Sequence, residues 1–191
     1  NIVREENKGE YTILYAPTYR VLESGEKPSK LPLLHPDIDD DEMHEFLEKN
    51  DAKLIIRPHP LLAKIEYNSN RIESVSVNEE ADISVLFDTS DLLVTDYSST
   101  YFDWLILDKA VIFSVYDLDE YSTEIGLIEK IENIASGDVV LTKDELFGAL
   151  SESINRSGRK SARRTEIREL IGIQKEESCG QISQLLSKHL L

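Results

Sequence analysis

The chain has 191 residues, of which 40% are hydrophobic and 30% charged, a composition typical of one globular domain with a sizeable core. Lys and Arg number 21 and Asp and Glu 37, so the net charge of −16 disfavours general nucleic-acid binding and docking on anionic lipid. The single cysteine, Cys179, excludes an intrachain disulfide, and no apolar run approaches the roughly 20 residues of a membrane-spanning helix.

The first part of the chain predicts three strands and one helix. Residues 12–16 are apolar, aromatic or β-branched and end at a proline, which indicates a buried strand. A long polar loop over 18–41 follows, and the acidic run 39–41 at its end opens a helix with apolar residues at i, i+3 and i+4. Apolar or alternating runs over 53–57 and 72–77 predict the next two strands.

The second part of the chain alternates helices and strands. The pattern predicts a helix over 81–87, a strand over 92–95, a helix over 98–107, strands over 110–113 and 139–141, and a helix over 143–154. Thr142 and Glu145 form a capping-box pattern at the start of that last helix. Residues 159–191 predict one or two C-terminal helices, interrupted near Gly172 and again near Gly180.

Short apolar strands alternating with helices predict an α/β fold, a single Rossmann-like domain over 1–191 whose parallel sheet carries helices on both faces. In such sheets ligands bind outside the carboxyl ends of the strands, at the topological switch point. Polar segments 17–20, 58–60 and 96–100 each follow a predicted strand, so we expect them to meet at one site. Neither GxGxxG nor a GxxxxGK motif occurs, so the site has no Gly-rich phosphate loop.

The segment after the fourth predicted strand carries the most polar chemistry. It contains Asp96, then Ser98, Ser99 and Thr100, then Asp103. Serine often only caps a helix, but three hydroxyls after an acid exceed what a cap needs. Because backbone amides at a helix start favour an anion, this segment predicts phosphate binding. Asp96 would fix the loop by accepting backbone amides, and Asp103 either stabilises the helix dipole or accepts from ribose hydroxyls.

Side chains at the other strand ends complete the candidate site. His59 lies between two prolines that restrict the backbone, so its imidazole is aimed. It can donate to a phosphate oxygen or act as a general acid, and a turn histidine bonded to carbonyls is the alternative. Arg20 and Arg57 flank two loops and can neutralise a diphosphate, although lone arginines are usually surface residues. Thr18 is predicted to bind the donor as well.

Aromatic residues after the fifth predicted strand offer a place for a base. Tyr116, Asp117 and Tyr121 would line it, although core packing explains the tyrosines nearly as well. No metal site is predicted. The remaining histidines are predicted to be surface residues: His35, His44 and His189.

Five stretches, in their order and spacing, resemble the CDP-glycerol glycerophosphotransferase family of teichoic-acid synthesis. Coverage extends from about residue 11 to 150, and the ITDYSS-like motif with a downstream YD…Y segment is specific. The matching stretches are ILYAPTYR at 13–20, IRPHP at 56–60, DLLVTDYSSTYFD at 91–103, KAVIF at 109–113 and YDLDEY at 116–121.

The resemblance implies the C-terminal, donor-binding half of a GT-B glycosyltransferase-like enzyme, with an N-terminal acceptor-binding domain as its partner and no metal or other cofactor. It implies transfer of an alcohol phosphate from a CDP-alcohol, CDP-glycerol first, to an acceptor hydroxyl. His59 matches a catalytic histidine, and Ser98 and Ser99 match residues near the donor diphosphate. Since the chain lacks a start methionine, we expect it to be part of a longer protein. The resemblance further implies that the chain is inactive without the acceptor domain. It also implies a cytoplasmic location, with other segments holding the protein at the inner face of the plasma membrane.

Departures from the family pattern leave the donor open. Residues 122–127 lack an arginine that the family often shows there, and 177–181 match its Asp-Gly-rich stretch only loosely. A nucleotide-sugar GT-B glycosyltransferase of capsule or exopolysaccharide synthesis is the alternative, and preference for a UDP-sugar over CDP-glycerol would select it. A non-enzymatic receiver-like domain is disfavoured because no acidic pair ends the first strand. Magnesium-dependent phosphorylation at Asp96 would support it.

Overall fold

The computed structural model describes residues 10–19, 34–60, 66–156, 161–172 and 178–189. Six strands in these ranges form one sheet of order β3-β2-β1-β4-β5-β6, and every neighbouring pair is parallel. This is the doubly wound Rossmann order, with its switch point between β1 and β4, so the predicted fold class is confirmed. The strands are β1 Tyr11–Tyr15, β2 Ala52–Ile56, β3 Ile72–Ser74, β4 Leu92–Thr95, β5 Ala110–Ser114 and β6 Asp138–Val140.

Helices connect the strands and cover both faces of the sheet. None of the helices in the described ranges is long and apolar enough to cross a membrane. The helices are α1 Asp40–Lys49, α2 Ile83–Thr89, α3 Thr100–Trp104 with a 3₁₀ turn over Leu105–Leu107, α4 Leu118–Glu124, α5 Ile131–Ile134, α6 Lys143–Asn155, α7 Ala162–Leu170 and α8 Ser178–His189.

Alternate residues of β1, β2, β4, β5 and β6 enter separate cores on the two faces, because successive side chains of a strand point in opposite directions. On one face, Ile13 and Leu54 pack in a cluster with residues of α1 and α6. On the other face, Leu14 and Ile55 pack with Trp104 of α3 and with side chains of α2 and α7. Burial on both faces explains why the strands appear in the sequence as nearly continuous apolar runs.

The predicted capping box at the start of α6 is confirmed. Thr142 Oγ1 accepts a hydrogen bond from the Glu145 amide at 3.3 Å. The Glu145 carboxylate accepts from the amides of Leu141 at 2.9 Å and Thr142 at 3.1 Å. These hydrogen bonds lower the pKa of Glu145 below its usual value, because they favour the ionised form.

Several element boundaries differ from the sequence-based expectation. The third strand ends at Ser74, and the helix expected from Ser98 begins at Thr100 and remains α-helical only to Trp104. The predicted break near Gly172 is confirmed, since this residue has a φ of +74° just after α7. The break predicted near Gly180 is wrong, because α8 continues through that position. Helices α4 and α5 lack a strong periodic pattern and were not predicted.

The predicted surface placement of His35 is wrong, because its side chain is only 6% exposed. Its Nδ1 accepts the Asp37 amide at 3.2 Å, and Nε2 lies 3.3 Å from the Leu141 carbonyl oxygen just beyond β6. The ring also meets Tyr116 edge-on, with the ring centroids 5.4 Å apart. His35 therefore anchors the segment before α1 across the carboxyl ends of β5 and β6. His44 is half-buried beside Ser69, and the side chain of His189 lies outside the described residues.

Candidate active site

A cleft of about 660 Å³ opens at the carboxyl edge of the sheet, around the switch point between β1 and β4. Its volume lies within the range of roughly 300–1,000 Å³ typical of ligand pockets. The segments that follow β1, β2, β3 and β4 all contribute to its wall, so the predicted convergence of three strand-end segments is confirmed and a fourth joins them. The lining residues lie within 16–19, 57–60, 77–83 and 97–100.

The loops after β1 and β4 are joined by a buried carboxylate. Asp96 is 2% exposed, and its Oδ1 accepts hydrogen bonds from both the backbone amide and the hydroxyl of Thr18, each at 2.8 Å. Thr95 adds a second link, since its hydroxyl donates to the Ala16 carbonyl at 2.8 Å. Asp96 thus accepts a backbone amide, as the sequence predicts, and its contact with Thr18 fixes one side of the cleft.

His59 stands on the loop after β2, between buried Pro58 and exposed Pro60. Its imidazole is half-buried in the cleft wall and packs against the Tyr19 ring, with 5.0 Å between the ring centroids and 38° between the planes. Two prolines restrict the backbone and one aromatic face restricts the ring, so the histidine has a defined direction. Tyr19 was not predicted as a site residue.

Ser98, Ser99 and Thr100 form the turn that leads from β4 into α3, and all three line the cleft. The Ser99 side chain makes no capping hydrogen bond, and Ser98 Oγ accepts from the Thr100 amide only at a long 3.4 Å. Because α3 is only five residues long, its dipole adds little, and the hydroxyls themselves are the principal donors that this turn offers. Capping therefore does not account for the serine pair.

Arg57 lines the cleft but directs its guanidinium into the loop after β3. Nη1 donates to the carbonyls of Val75 at 3.3 Å, Ser76 at 2.9 Å and Glu80 at 2.6 Å, and Nη2 donates to Ala81 at 3.4 Å. The arginine is 8% exposed. The sequence predicts that Arg57 neutralises a diphosphate. In the structure, its guanidinium is instead hydrogen-bonded to backbone carbonyls.

Tyr97, which the sequence analysis missed, links the cleft to the aromatic segment after β5. It lines the cleft and donates its hydroxyl to Asp117 Oδ1 at 3.1 Å. Its ring stacks on Tyr121, with centroids 3.8 Å apart and a 19° angle between the planes. Tyr116 contacts the His35 ring instead. Asp117 and Tyr121 thus buttress a wall residue, and a role in base binding stays a prediction.

Among the predicted donor-binding residues that the structure describes, Asp96 and Asp103 do not line the cleft, and Asp96 is only 2% exposed. Asp103 lies in the first turn of α3, is exposed and is absent from the cleft lining. Arg20 lies outside the described residues, so its predicted role remains open. The wall after β3, including Asp82 and Ile83 at the start of α2, was missed because its only sequence signal is its place after the third strand. Hydrogen bonds from Ser84 lower the pKa of Asp82.

The chain matches the family model of CDP-Glycerol:Poly(glycerophosphate) glycerophosphotransferase over residues 4–179. The chain belongs to this family. The match extends across all six strands, and the resemblance seen in the sequence motifs is confirmed.

Curated relatives include enzymes of teichoic-acid synthesis. The teichoic acid ribitol-phosphate polymerase TarK of Staphylococcus aureus is 30% identical over 146 residues, covering 75% of this chain and 28% of the relative. The teichoic acid glycerol-phosphate primase of Bacillus subtilis is 30% identical over 148 residues, covering 76% of this chain and 36% of the relative. The chain therefore spans roughly a quarter to a third of the length of these relatives.

Among solved structures, a histidine-to-asparagine variant of the wall teichoic acid polymerase TagF superposes with a TM-score of 0.69. It is 25% identical, and the match covers 95% of this chain and 44% of that one. The unsubstituted TagF gives a TM-score of 0.67 at 24% identity, which shows the shared fold. Matching slightly less than half of TagF is consistent with the predicted half of a GT-B fold.

Proposed function

We propose that this chain is the donor-binding part of a transferase that moves an alcohol phosphate from a CDP-alcohol, with CDP-glycerol as the leading donor, to an acceptor hydroxyl. The product would be a teichoic acid or a related cell-surface polymer. The observation that carries the proposal is the cleft at the switch point, which is lined by both the hydroxyl-rich turn 98–100 and the directed side chain of His59. Hydroxyl and amide donors suit phosphate oxygens, and a directed imidazole suits proton transfer to one.

In the proposed reaction, the acceptor oxygen forms a bond to the β-phosphorus of the donor. The bond from that phosphorus to the oxygen bridging the two phosphates breaks, and CMP leaves. His59 donates a hydrogen bond or a proton to the phosphate, while Ser98, Ser99 and nearby amides hold the diphosphate. The acceptor proton passes to a base outside this chain. Positioning and charge stabilisation supply most of the rate enhancement in such a transfer.

The donor choice is supported by a relative and by the site. A TagF variant that was soaked with CDPG matches this chain with 26% identity and a TM-score of 0.62. In the cleft described here, hydroxyls from Thr18, Ser98 and Ser99 belong to loops on both sides of the switch point. Nucleotide phosphates bind at this place in doubly wound sheets.

The same proposal assigns the rest of the enzyme. The chain forms a single donor domain over 1–191, and a second domain of a longer protein binds the acceptor, since curated relatives are three to four times as long as the match. We propose that no resident metal or other cofactor takes part, since the part of the chain that the structure describes holds no group of three or more His, Cys, Asp or Glu side chains placed to bind a metal ion. Other segments of the longer protein would attach it to the cytoplasmic face of the membrane.

Isothermal calorimetry with CDP-glycerol, CMP and UDP-sugars tests the proposal directly. CDP-glycerol should bind best, and EDTA should leave its affinity unchanged. Ser98→Ala/Ser99→Ala should lose at least tenfold in affinity, because each hydrogen bond to a charged group contributes roughly 1.5–3 kcal/mol. Ser187→Ala is the matched control, since this exposed hydroxyl in α8 donates only to the Ser183 carbonyl.

Three outcomes would contradict the proposal. Binding of no nucleotide would remove its basis, and preference for a UDP-sugar would favour a glycosyltransferase. Transfer catalysed by this chain alone would contradict the assignment of the acceptor site to another domain.

A further inference from the structure

The loop between β3 and α2 is folded around the guanidinium of Arg57. Four of its carbonyl oxygens, from Val75, Ser76, Glu80 and Ala81, accept hydrogen bonds from Nη1 and Nη2 at 2.6–3.4 Å. A planar guanidinium offers five donors in a fixed fork, which suits several carbonyls at once. One side chain directly after β2 therefore binds carbonyls at both ends of a loop that follows another strand, β3.

The loop has further restraints at its start and within its own turn. β3 is only three residues long and lies at the edge of the sheet, beside β2 alone. Within the loop, the Glu79 carboxylate accepts from the amide and hydroxyl of Ser76, both at 2.9 Å, which closes a local turn. Those bonds shape the turn. The Val75 amide donates to the Ile56 carbonyl at 2.9 Å and ties the start of the loop to β2. Arg57 ties the residues after Val75 to the end of the same strand, through the carbonyls of Ser76, Glu80 and Ala81.

The far end of α2 is held independently. Lys109 Nζ donates to the carbonyls of Phe87 at 2.6 Å and Ser90 at 2.8 Å, where α2 ends. Helix α2 is thereby fixed at its carboxyl end by Lys109, the residue before β5. At its start, Ile83 packs on the core, and the Arg57 contacts hold the carbonyls of Glu80 and Ala81 just before the helix.

The cleft wall on this side is made by that loop and by the start of α2. Val77, Ala81, Asp82 and Ile83 line the cleft, and Ala81 is itself a carbonyl partner of Arg57. The turn 98–100, which follows β4, lines another part of the same cleft. A shift of the loop would change the width of the cleft.

We propose that Arg57 is a positioning residue that fixes the cleft wall 77–83 and acts on the bound donor through that wall, not as a ligand of its phosphates. This inference rests on the proposed nucleotide site. It differs from a phosphate-binding role in a measurable way. A phosphate ligand discriminates between nucleotides by their number of phosphates, whereas a misplaced wall weakens all of them alike.

The first experiment needs no nucleotide. Amide hydrogen exchange of the purified protein should show faster exchange over 75–83 in Arg57→Met, with a smaller effect in Arg57→Lys, whose ammonium reaches fewer carbonyls. Arg163→Met is the matched control. Its guanidinium donates to three carbonyls in and just after α5, those of Glu132, Asn133 and Ala135, which are not part of the cleft lining.

The second experiment is an affinity series with CMP, CDP and CTP, measured where circular dichroism shows each variant folded. Arg57→Met should weaken all three by the same factor, about ten- to a hundredfold, the size expected for a displacement of about 1 Å in a site. Arg57→Lys should recover part of the loss. Arg163→Met should lower the melting temperature and leave the three affinities unchanged, as a merely structural arginine would.

The outcomes separate the two proposals. If the unsubstituted protein binds no nucleotide, the proposed function fails, and this inference fails with it. If it binds normally, a loss that grows from CMP to CTP in Arg57→Met would overturn the inference alone. Unchanged exchange over 75–83, or an equal affinity loss in Arg163→Met, would also overturn it.

Discussion

Oδ1 of Asp96 accepts two hydrogen bonds from Thr18, one from its amide and one from its hydroxyl, each at 2.8 Å. The two residues lie in the loops that follow the adjacent parallel strands β1 and β4, at the point where the strand order reverses. A buried carboxylate costs free energy unless it is hydrogen-bonded. Removing either partner therefore weakens the link between the two loops. The shape of the cleft depends on it.

Thr18→Val removes the hydroxyl donor without changing the side-chain shape. We expect the free energy of unfolding to fall by about 1.5–3 kcal/mol, the value of a hydrogen bond to a charged group. Nucleotide affinity should fall as well, since the loop lines the cleft. Thr123→Val is the control, because its exposed hydroxyl donates only to a carbonyl of its own helix. Urea denaturation and calorimetry measure both effects, and equal stability of the two variants would contradict the pairing.

The sheet and the location of the site could be predicted from the sequence because both follow from local signals. Apolar runs such as 92–95 mark strands buried on both faces, and parallel strands bring their carboxyl ends to one edge. The polar segments after these runs consequently had to meet. Even the capping box at Thr142 is a pattern of four consecutive residues.

The contacts that decide individual roles are long-range and leave no local signal. Arg57 binds carbonyls 18 to 24 residues further along the chain, and His35 contacts Leu141, 106 residues away. Backbone carbonyls are the same at every residue, so no pattern distinguishes a carbonyl clamp from a phosphate ligand. At Gly180 a local signal is present but does not decide the structure. Glycine weakens a helix by only about 1 kcal/mol and does not have to end it, and Gly180 lies inside α8.

His59→Asn tests the catalytic role. We expect the transfer rate of the full-length enzyme to fall by about 10²–10⁴-fold, the contribution of a positioned acid or base. Affinity for CDP-glycerol should change little, since the serine turn holds the phosphates in the proposed site. His44→Asn is the control, because that histidine contacts Ser69 and does not line the cleft. A large loss of affinity with an unchanged rate would contradict the assignment.

Tyr121→Leu tests the buttress behind the cleft. The ring of Tyr121 stacks on Tyr97 at 3.8 Å, and an aromatic pair contributes about 0.5–1.5 kcal/mol beyond its buried area. Tyr97 should become less ordered, so nucleotide affinity should fall roughly two- to tenfold, which is that free energy expressed as a ratio. Phe46→Leu removes a comparable pair with Phe147 away from the cleft and should leave affinity unchanged. Equal affinity in the Tyr121 variant would exclude the buttress.

Glu145 makes the stability of α6 depend on pH. Amides of Leu141 and Thr142 lower its pKa from the usual 4.5, so the folded protein binds this proton less tightly than the unfolded chain. Its stabilising contribution is complete above that usual pKa and is lost as the pH falls through the lowered value. The difference in unfolding free energy between the protein and Glu145→Gln should therefore shrink on acidification. A difference that stays constant with pH would contradict the cap.

Gly137→Ala tests the close approach of β6 to β5. A Cβ placed on Gly137 would lie 1.8 Å from the Val111 carbonyl oxygen, far inside contact distance, so the backbone must move at the start of the strand pair. We expect a loss of about 1–3 kcal/mol in the free energy of unfolding, as for other overpacked sites.

Gly148→Ala is the matched control for this prediction. It lies inside α6, and a Cβ there would meet no atom within 4 Å. Alanine is the better helix former by about 0.5–1 kcal/mol, so the control should stabilise the protein. Urea denaturation of both variants measures the contrast. If both substitutions changed the free energy of unfolding in the same direction, the close contact between Gly137 and β5 would not be what determines the effect at position 137.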